Sequence, residues 1–347
     1  MLPKKVDFII VGQGLAGSIL SYQLLTKGKT VLVIDNHRQN SSSEVAAGII
    51  NPITGPRLTL SDDFSYFYTN AKTLYQTLET KLNVSIWSEL SQQRLLKNAK
   101  QFDFYKNRLN NPKYKHYLDG LLHPNVFDHQ EQVIKINQNA VVDSKRLLNE
   151  IHTWLTEQGK VHSVKLNYEE LKFDEAGVQY ANLRADKIIF CEGYQAIQNP
   201  WLKNLPFLLS KGEILTLNLE QKHSDLLNWG NWLVPIHDYY KLGANYEWDN
   251  LDLSPTKKIK QSLLDSLNQN FNFNVDTINH EAGIRPTTKH RQPFIGPIKS
   301  KLNAYCFNGF GSKGCLIIPS YANLLTDHLC HNRVLPKKVT NDLNQCH

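Results

Sequence analysis

Val6-Asp7-Phe8-Ile9-Ile10-Val11-Gly12-Gln13-Gly14-Leu15-Ala16-Gly17 is the stretch on which the fold turns. Its first six residues are mostly apolar and too few for a helix of ordinary length, which suits a buried parallel strand. The glycines follow at once. Leu15, Ile19, Leu20 and Leu24 then recur at helical spacing, Gly28 marks a helix end, and residues 30–34 form a second β-branched run closed by Asp35. Strand, glycine turn, helix, strand and acidic residue together predict a dinucleotide-binding β-α-β unit. Gly12 permits the tight turn, Gly14 lets backbone approach a pyrophosphate, and Gly17 lets the helix pack close to the strand. Leu15 and Ala16 open the helix, whose unpaired N–H groups and positive dipole end face the phosphates. Asp35 is placed to accept hydrogen bonds from ribose hydroxyls.

The rest of the chain bounds the reading. Its 347 residues are enough for about two domains. With 41% hydrophobic and 20% charged residues, disorder of the whole chain is excluded. The formal net charge of +7 is carried by scattered basic residues, with no run resembling a nucleic-acid tail. Residues 8–25 resemble a signal peptide only superficially, because glycines, Gln13 and Ser18 interrupt the apolar run and no small-residue cleavage site follows. No segment reaches the ~20 apolar residues of a membrane span. The five cysteines, Cys191, Cys306, Cys315, Cys330 and Cys346, are odd in number and form no Cys-x-x-Cys pair. Free thiols in a reducing, cytoplasmic compartment are therefore expected. The Cys330-His331 and Cys346-His347 pairs match no metal-site spacing, so no metal is expected.

A dinucleotide fingerprint alone does not separate FAD from NAD. Further segments do so by resemblance: Ser43-Glu44-Val45-Ala46-Ala47-Gly48, Lys211-Gly212-Glu213, Gly283-Ile284-Arg285-Pro286 before Pro293-Phe294-Ile295-Gly296, and Gly309-Phe310-Gly311-Ser312-Lys313-Gly314. In this order and spacing the chain resembles the FAD-dependent D-amino-acid oxidase and glycine oxidase family. The resemblance is weak between about residues 76 and 140. It implies an α/β fold, with a Rossmann-like FAD-binding domain and a second α+β substrate domain carrying a mixed or antiparallel sheet. The FAD-binding domain would comprise residues 1–75, 141–210 and 283–347, and the substrate domain residues 76–140 and 211–282.

The resemblance also assigns residues. Ser43, Ala47 and Gly48 match the segment that runs past the pyrophosphate and under the isoalloxazine ring, with Glu44 where a second serine is usual. Residues 143–159 read directly as an amphipathic helix, capped by Asp143 or Ser144, with a stripe of Leu147, Leu148, Ile151, Trp154 and Leu155. In the family such a helix precedes a strand flanking the adenine, here His162-Ser163-Val164. Gly193 matches the glycine that closes the nucleotide site, although Glu192 alters its usual small-residue context. Gly309, Gly311, Ser312, Lys313 and Gly314 would bring backbone N–H groups and a helix N-terminus (residues 316–329) to the flavin pyrimidine edge, where negative charge develops on reduction. Lys313 would add positive charge there. No signature residue for covalent attachment is recognisable, so the FAD is expected to be non-covalent.

The implied activity is oxidation of the C–N bond of a small amine, amino acid or N-substituted glycine, with hydride passing to flavin N5. Such chemistry asks the protein mainly for position and field. Arg285 is the candidate carboxylate clamp, since a guanidinium binds a carboxylate at two points. Tyr240 or Tyr246, in an aromatic segment that includes Trp232, Tyr239 and Trp248, would hydrogen-bond the substrate, with ordinary sheet packing as the alternative. Arg57 reaches the substrate or a phosphate, or is a solvated loop residue. His290 occupies a turn. Two other functions fit the same residues: a flavoprotein modifying the tRNA wobble uridine, with tRNA as partner, and a non-catalytic flavin-binding subunit. Ser254-Pro255 reads as the start of a helix reaching about Asn270, and Phe64, Phe67, Tyr68, Ala71, Leu74, Tyr75 and Leu78 as a helical stripe.

Overall fold

The computed structural model describes residues 5–36, 41–123, 126–127 and 132–345. Its architecture is two large sheets and a two-stranded pair, Ile53–Thr54 with Thr59–Leu60, with helices packed mainly against the first large sheet. That sheet is built on the opening unit. Strand Lys5–Val11 lies parallel between Val31–Ile34 and Leu183–Phe190. Val161–His162 extends it in parallel beyond Val31–Ile34, and Ala304–Asn308 adds in parallel to Leu183–Phe190. Antiparallel strands Leu171–Asp174, Gly177–Tyr180 and Phe294–Pro297 complete it. The two faces separate by side-chain parity, as a period of two requires. Phe8, Ile10, Val31 and Val33 enter the core under the helices, whereas Ile9, Val11, Leu32 and Ile34 enter the core on the opposite face. Each such fully buried side chain contributes about 1.5–3 kcal/mol.

The helices covering the first core are Leu15–Thr26, Phe64–Leu82, Ser144–Glu157 and Gly314–His331. The stripe read from sequence buries Phe64, Phe67, Ala71, Tyr75 and Leu78, with Tyr68 and Leu74 packed at its margin. Asp143 is the cap of Ser144–Glu157, its carboxylate accepting from the Arg146 N–H at 3.0 Å. In Gly314–His331, Pro319 has no N–H to give the Cys315 carbonyl four residues earlier. The buried Tyr75 hydroxyl donates to that carbonyl at 2.9 Å and replaces the missing bond.

The second sheet runs in the order Val275–Thr288, Phe207–Leu219, Tyr239–Gly243, Trp232–Ile236, Leu226–Asn228, Trp87–Leu95, Val133–Val142, Ile49–Ile50, with Leu118–Leu121 also paired to Val133–Val142. Its contacts are antiparallel except that of Leu226–Asn228 with Trp87–Leu95, so it is mixed, as expected. The boundaries expected near residues 75, 210 and 283 fall inside the helix Phe64–Leu82 and the strands Phe207–Leu219 and Val275–Thr288.

Two local readings need correction. The helix expected from Ser254-Pro255 is Lys257–Asn268, and its cap is Thr256, whose hydroxyl accepts from the Ile259 N–H at 3.3 Å. Thr256 has the hydroxyl at the right offset, which puts Pro255 before the helix rather than in its first turn. The strand expected at residues 162–164 is Val161–His162, and Val164 lies beyond it. Cys346 and His347 lie outside the described residues. Among the described residues no cluster of His, Cys, Asp and Glu could hold a metal ion, and no helix is long and apolar enough to cross a membrane.

Candidate functional site

One cavity of about 500 Å³ runs from the opening glycine turn to the start of Gly314–His331 and on to the second sheet. At its first end, Gly12, Gly14, Leu15 and Ala16 line it beside Asp35. The turn is tied to the end of the second strand: Gly12 N–H donates to the Ile34 carbonyl at 2.9 Å and Gln13 N–H to the Asp35 carboxylate at 2.7 Å. A Cβ on Gly12, where φ is 95°, would stand 2.6 Å from the Cys191 carbonyl oxygen. Gly17 does not line the cavity. Its missing side chain lets the helix lie against the Gly12 carbonyl, the packing role read from sequence. Ser43 ties the next segment to this turn by accepting from the Leu15 N–H at 3.1 Å.

Val164, Leu166, Tyr168, Glu192 and Gly193 line the same end. The Glu192 carboxylate accepts from the Tyr168 hydroxyl and, at 2.8 Å, from the Asn199 amide. Burial raises its pKa to about 7, against the pull of those two hydrogen bonds. The unusual residue seen in the sequence therefore joins the glycine-turn end of the cavity through a polar trio. Gly193 has open space where a side chain would project, and the continuous, elongated cavity beside a helix N-terminus suits a dinucleotide.

Midway, Ser42, Ser43, Val45, Ala46, Ala47 and Gly48 form one wall, and Gly311, Ser312, Lys313 and Gly314 form another. Gly309 stands just outside, held at φ 83° against Thr288. The Lys313 ammonium donates to the Ser61 hydroxyl at 3.2 Å, and burial lowers its pKa. Lys241, not singled out in the sequence, is buried behind this wall and donates to the carbonyls of Val45 and Ala46, each at 2.9 Å. Burial lowers its pKa to about 8 against the opposing pull of Glu281 and Asp143. A lysine inside the apolar hairpin strand Tyr239–Gly243 was the signal that could have found it.

At the far end Arg285 and Tyr246 line the cavity together. The guanidinium fills the space that a side chain on Gly212 would take and lies over the Tyr246 ring, 4.5 Å from its centroid. Its N–H groups reach the carbonyls of Lys211 and Asn245 at 3.4 Å, and burial lowers its pKa. Tyr246 in turn stacks on Trp248, with 19° between the rings, and both are exposed. Strand Phe207–Leu219 alternates here: Gly212 and Ile214 face the cavity, while Lys211 and Glu213 hold residues 244–256. The Lys211 ammonium is bonded to the Asp252 carboxylate and the Ser254 carbonyl, both at 2.6 Å. Glu213 accepts from the Thr256 N–H at 2.7 Å and gives its own N–H to the Asn245 side chain at 2.7 Å.

Tyr240 is placed elsewhere. It is buried in the core of the second sheet, and its hydroxyl donates to the His223 carbonyl at 2.9 Å and accepts from the His223 N–H at 2.7 Å. Arg57 is exposed, and His290 lies exposed in a turn as expected.

The glycine turn, the parallel strands around Lys5–Val11 and the cavity at the ends of those strands define a dinucleotide-binding α/β protein. Residues 7–328 match the family model described as FAD dependent oxidoreductase, and the chain belongs to that family, whose cofactor is FAD. The glycine oxidase of Pseudomonas aeruginosa is 23% identical over 185 residues, which cover 51% of this chain. The match spans 48% of that relative, about half its length. The fold is that of glycine oxidase from Geobacillus kaustophilus, with a TM-score of 0.80, 16% identity and 94% of each chain covered. Glycine oxidase from Bacillus cereus gives 0.78 at 14% identity, covering 95% of this chain and 96% of that one. Iminodiacetate oxidase from Chelativorans sp. BNC1 gives 0.77 at 19% identity, covering 96% and 98%.

Proposed function

We propose that this chain oxidises the carbon–nitrogen bond of a small amine, amino acid or N-substituted glycine. The observation that carries the reading is the seating of Arg285 at the end of the cavity opposite the glycine turn, beside the Gly311–Gly314 wall. FAD, bound non-covalently, supplies the acceptor that takes hydride from the carbon bearing nitrogen. Gly12, Gly14, Leu15 and Ala16 would hold its pyrophosphate, and Asp35, Val164 and Gly193 its adenosine. Ser43, Ala47, Gly48, Gly311, Ser312, Lys313 and Gly314 would surround its ring.

Arg285 binds the substrate carboxylate in this reading and Tyr246 limits where that carboxylate can sit, so the carbon to be oxidised is presented in one orientation. Lys313 and the N-terminus of Gly314–His331 place positive potential across the same space, favouring negative charge as reduction proceeds. The charged residues lining this half are Arg285 and Lys313, whereas the lining carboxylates Asp35 and Glu192 both lie at the nucleotide end. An anionic substrate suits that division. Relatives described as glycine oxidase and iminodiacetate oxidase support the substrate class. We take the first sheet and its helices as the framework of the FAD-binding domain and the second as that of the substrate domain. A cytoplasmic location fits the free thiols Cys191, Cys306 and Cys315.

The test is anaerobic addition of D-amino acids, glycine and sarcosine to the FAD-loaded protein, read by flavin absorbance. Bleaching by a member of the panel is the expected result. A fully loaded protein that no amine reduces would remove the proposal.

A further inference from the structure

A further cation lies just beyond the other margin of the substrate half. Arg94 is only 7% exposed, its Nη2 donates to the Gly55 carbonyl at 2.6 Å, and its Nε has no hydrogen-bond partner among the described residues. It makes no ion pair among those residues. Gln92, two residues before it on the same face of strand Trp87–Leu95, is fully buried, and neither atom of its amide has a partner among the described residues. A buried cation without an anion, next to a buried amide without partners, is costly unless a polar ligand completes it.

The sheet register shows where such a ligand would come from. Ile214 pairs with Gly243, Gly243 with Trp232, Trp232 with Asn228, and Asn228 with Arg94. Paired residues in a sheet share a face. Ile214, Trp232 and Asn228 line the cavity, so this row is its floor, and Arg94 is the next residue along it. Leu226, which also lines the cavity, pairs with Gln92 in the same way. The Gly55 carbonyl that Arg94 holds follows Thr54, another lining residue. The floor therefore begins near Gly212 and Arg285 on one side and reaches Asn228 on the other, with Arg94 on the next strand, one residue beyond the lining.

We propose that Arg94, with the Gln92 amide beside it and Asn228 in front of it, forms an anion-binding subsite that extends the substrate cavity beyond its margin opposite Arg285. The substrate is then an amine carrying two acidic groups, one for Arg285 and one for Arg94, with the reacting carbon between them. This rests on the oxidation of an amine proposed above but is tested without turnover. Burial lowers the Arg94 pKa only to about 10, so it keeps its charge at neutral pH.

Dicarboxylates lacking an amine cannot be oxidised and serve as probes. The FAD-loaded protein is titrated with succinate, glutarate and adipate, each paired with the monocarboxylate of equal chain length: butyrate, pentanoate and hexanoate. Binding is read from the perturbed flavin spectrum. At least one dicarboxylate is expected to bind about tenfold or more tightly than its partner, the range for a charge-assisted contact. Arg94→Met should abolish that preference and leave monocarboxylate binding unchanged, while Arg94→Lys retains part of it. If Arg94→Met does not load with FAD, Asn228→Leu, which removes the amide in front of Arg94, should reduce the preference instead. Equal binding of all three pairs by the unaltered protein, or a preference that survives Arg94→Met, overturns the subsite. A dicarboxylate preference in a protein that no amine reduces would uphold the subsite and sink the oxidation, so the two failures are separate.

Discussion

The guanidinium of Arg285 is held between the backbone of Gly212 and the ring of Tyr246, 4.5 Å from the ring centroid. This arrangement needs a residue without a side chain at position 212, because a Cβ there would occupy the space of the guanidinium. Gly212→Ala is expected to displace Arg285 and weaken carboxylate binding by about tenfold or more, with FAD content unchanged. Equilibrium binding of acetate or pentanoate, read from the flavin spectrum, checks it. Unaltered affinity would show that the seat is not needed.

The two tyrosines singled out in the sequence should behave oppositely. Tyr246→Ala uncovers Arg285 and should raise KM for a carboxylate substrate. Tyr240→Phe should leave KM alone and cost about 1–2 kcal/mol of stability, since its hydroxyl both donates to and accepts from the His223 backbone. Steady-state kinetics and denaturant unfolding of both variants separate the roles, and a KM change in Tyr240→Phe would contradict the placement.

Tyr75→Phe removes the hydroxyl that satisfies the Cys315 carbonyl left by Pro319. The expected cost is about 1–3 kcal/mol, the penalty for a buried polar group without a partner. Thermal unfolding would register it as a lower Tm. A double variant, Tyr75→Phe with Pro319→Ala, should recover much of the loss by restoring the helical N–H. No recovery would mean that the hydroxyl does something else.

Glu192 gives stability a pH dependence with a defined sign. Its folded pKa, about 7, lies above the ordinary 4.5, so folding favours the protonated form. That contribution is complete below about pH 4.5 and is lost as pH rises towards 7. Glu192→Gln should lack this decline, and the difference in Tm between the two proteins across pH 4.5–7 measures it. Parallel profiles would exclude the carboxyl as the source.

The opening unit was legible because its signals are local. A continuous apolar run, glycine spacing and Asp35 lie within thirty-five residues, and Asp143 sits directly before the helix that it caps. The second sheet was harder to read. Phe207–Leu219 and Val275–Thr288 pair across a long intervening segment, so nothing near either strand names its partner. Tyr240 and Tyr246 are alike in sequence and differ only because one faces the core and the other the cavity. Nothing in the sequence singled out Arg94; only the register with Asn228, more than a hundred residues later, brings it next to the cavity lining. The helix start moved to Thr256 because the Glu213 carboxylate fixes that residue's N–H, a tertiary contact that no local pattern announces.

Lys211 and Glu213 moor residues 244–256 from the side of their strand that faces away from the cavity. The segment between Glu247 and Asp252 can therefore be swapped as a cassette, provided that Asn245, Asp252 and Thr256 are kept as its fastenings. Grafts at that point would change what backs Tyr246 through its stacking partner Trp248 while the first sheet stays as it was.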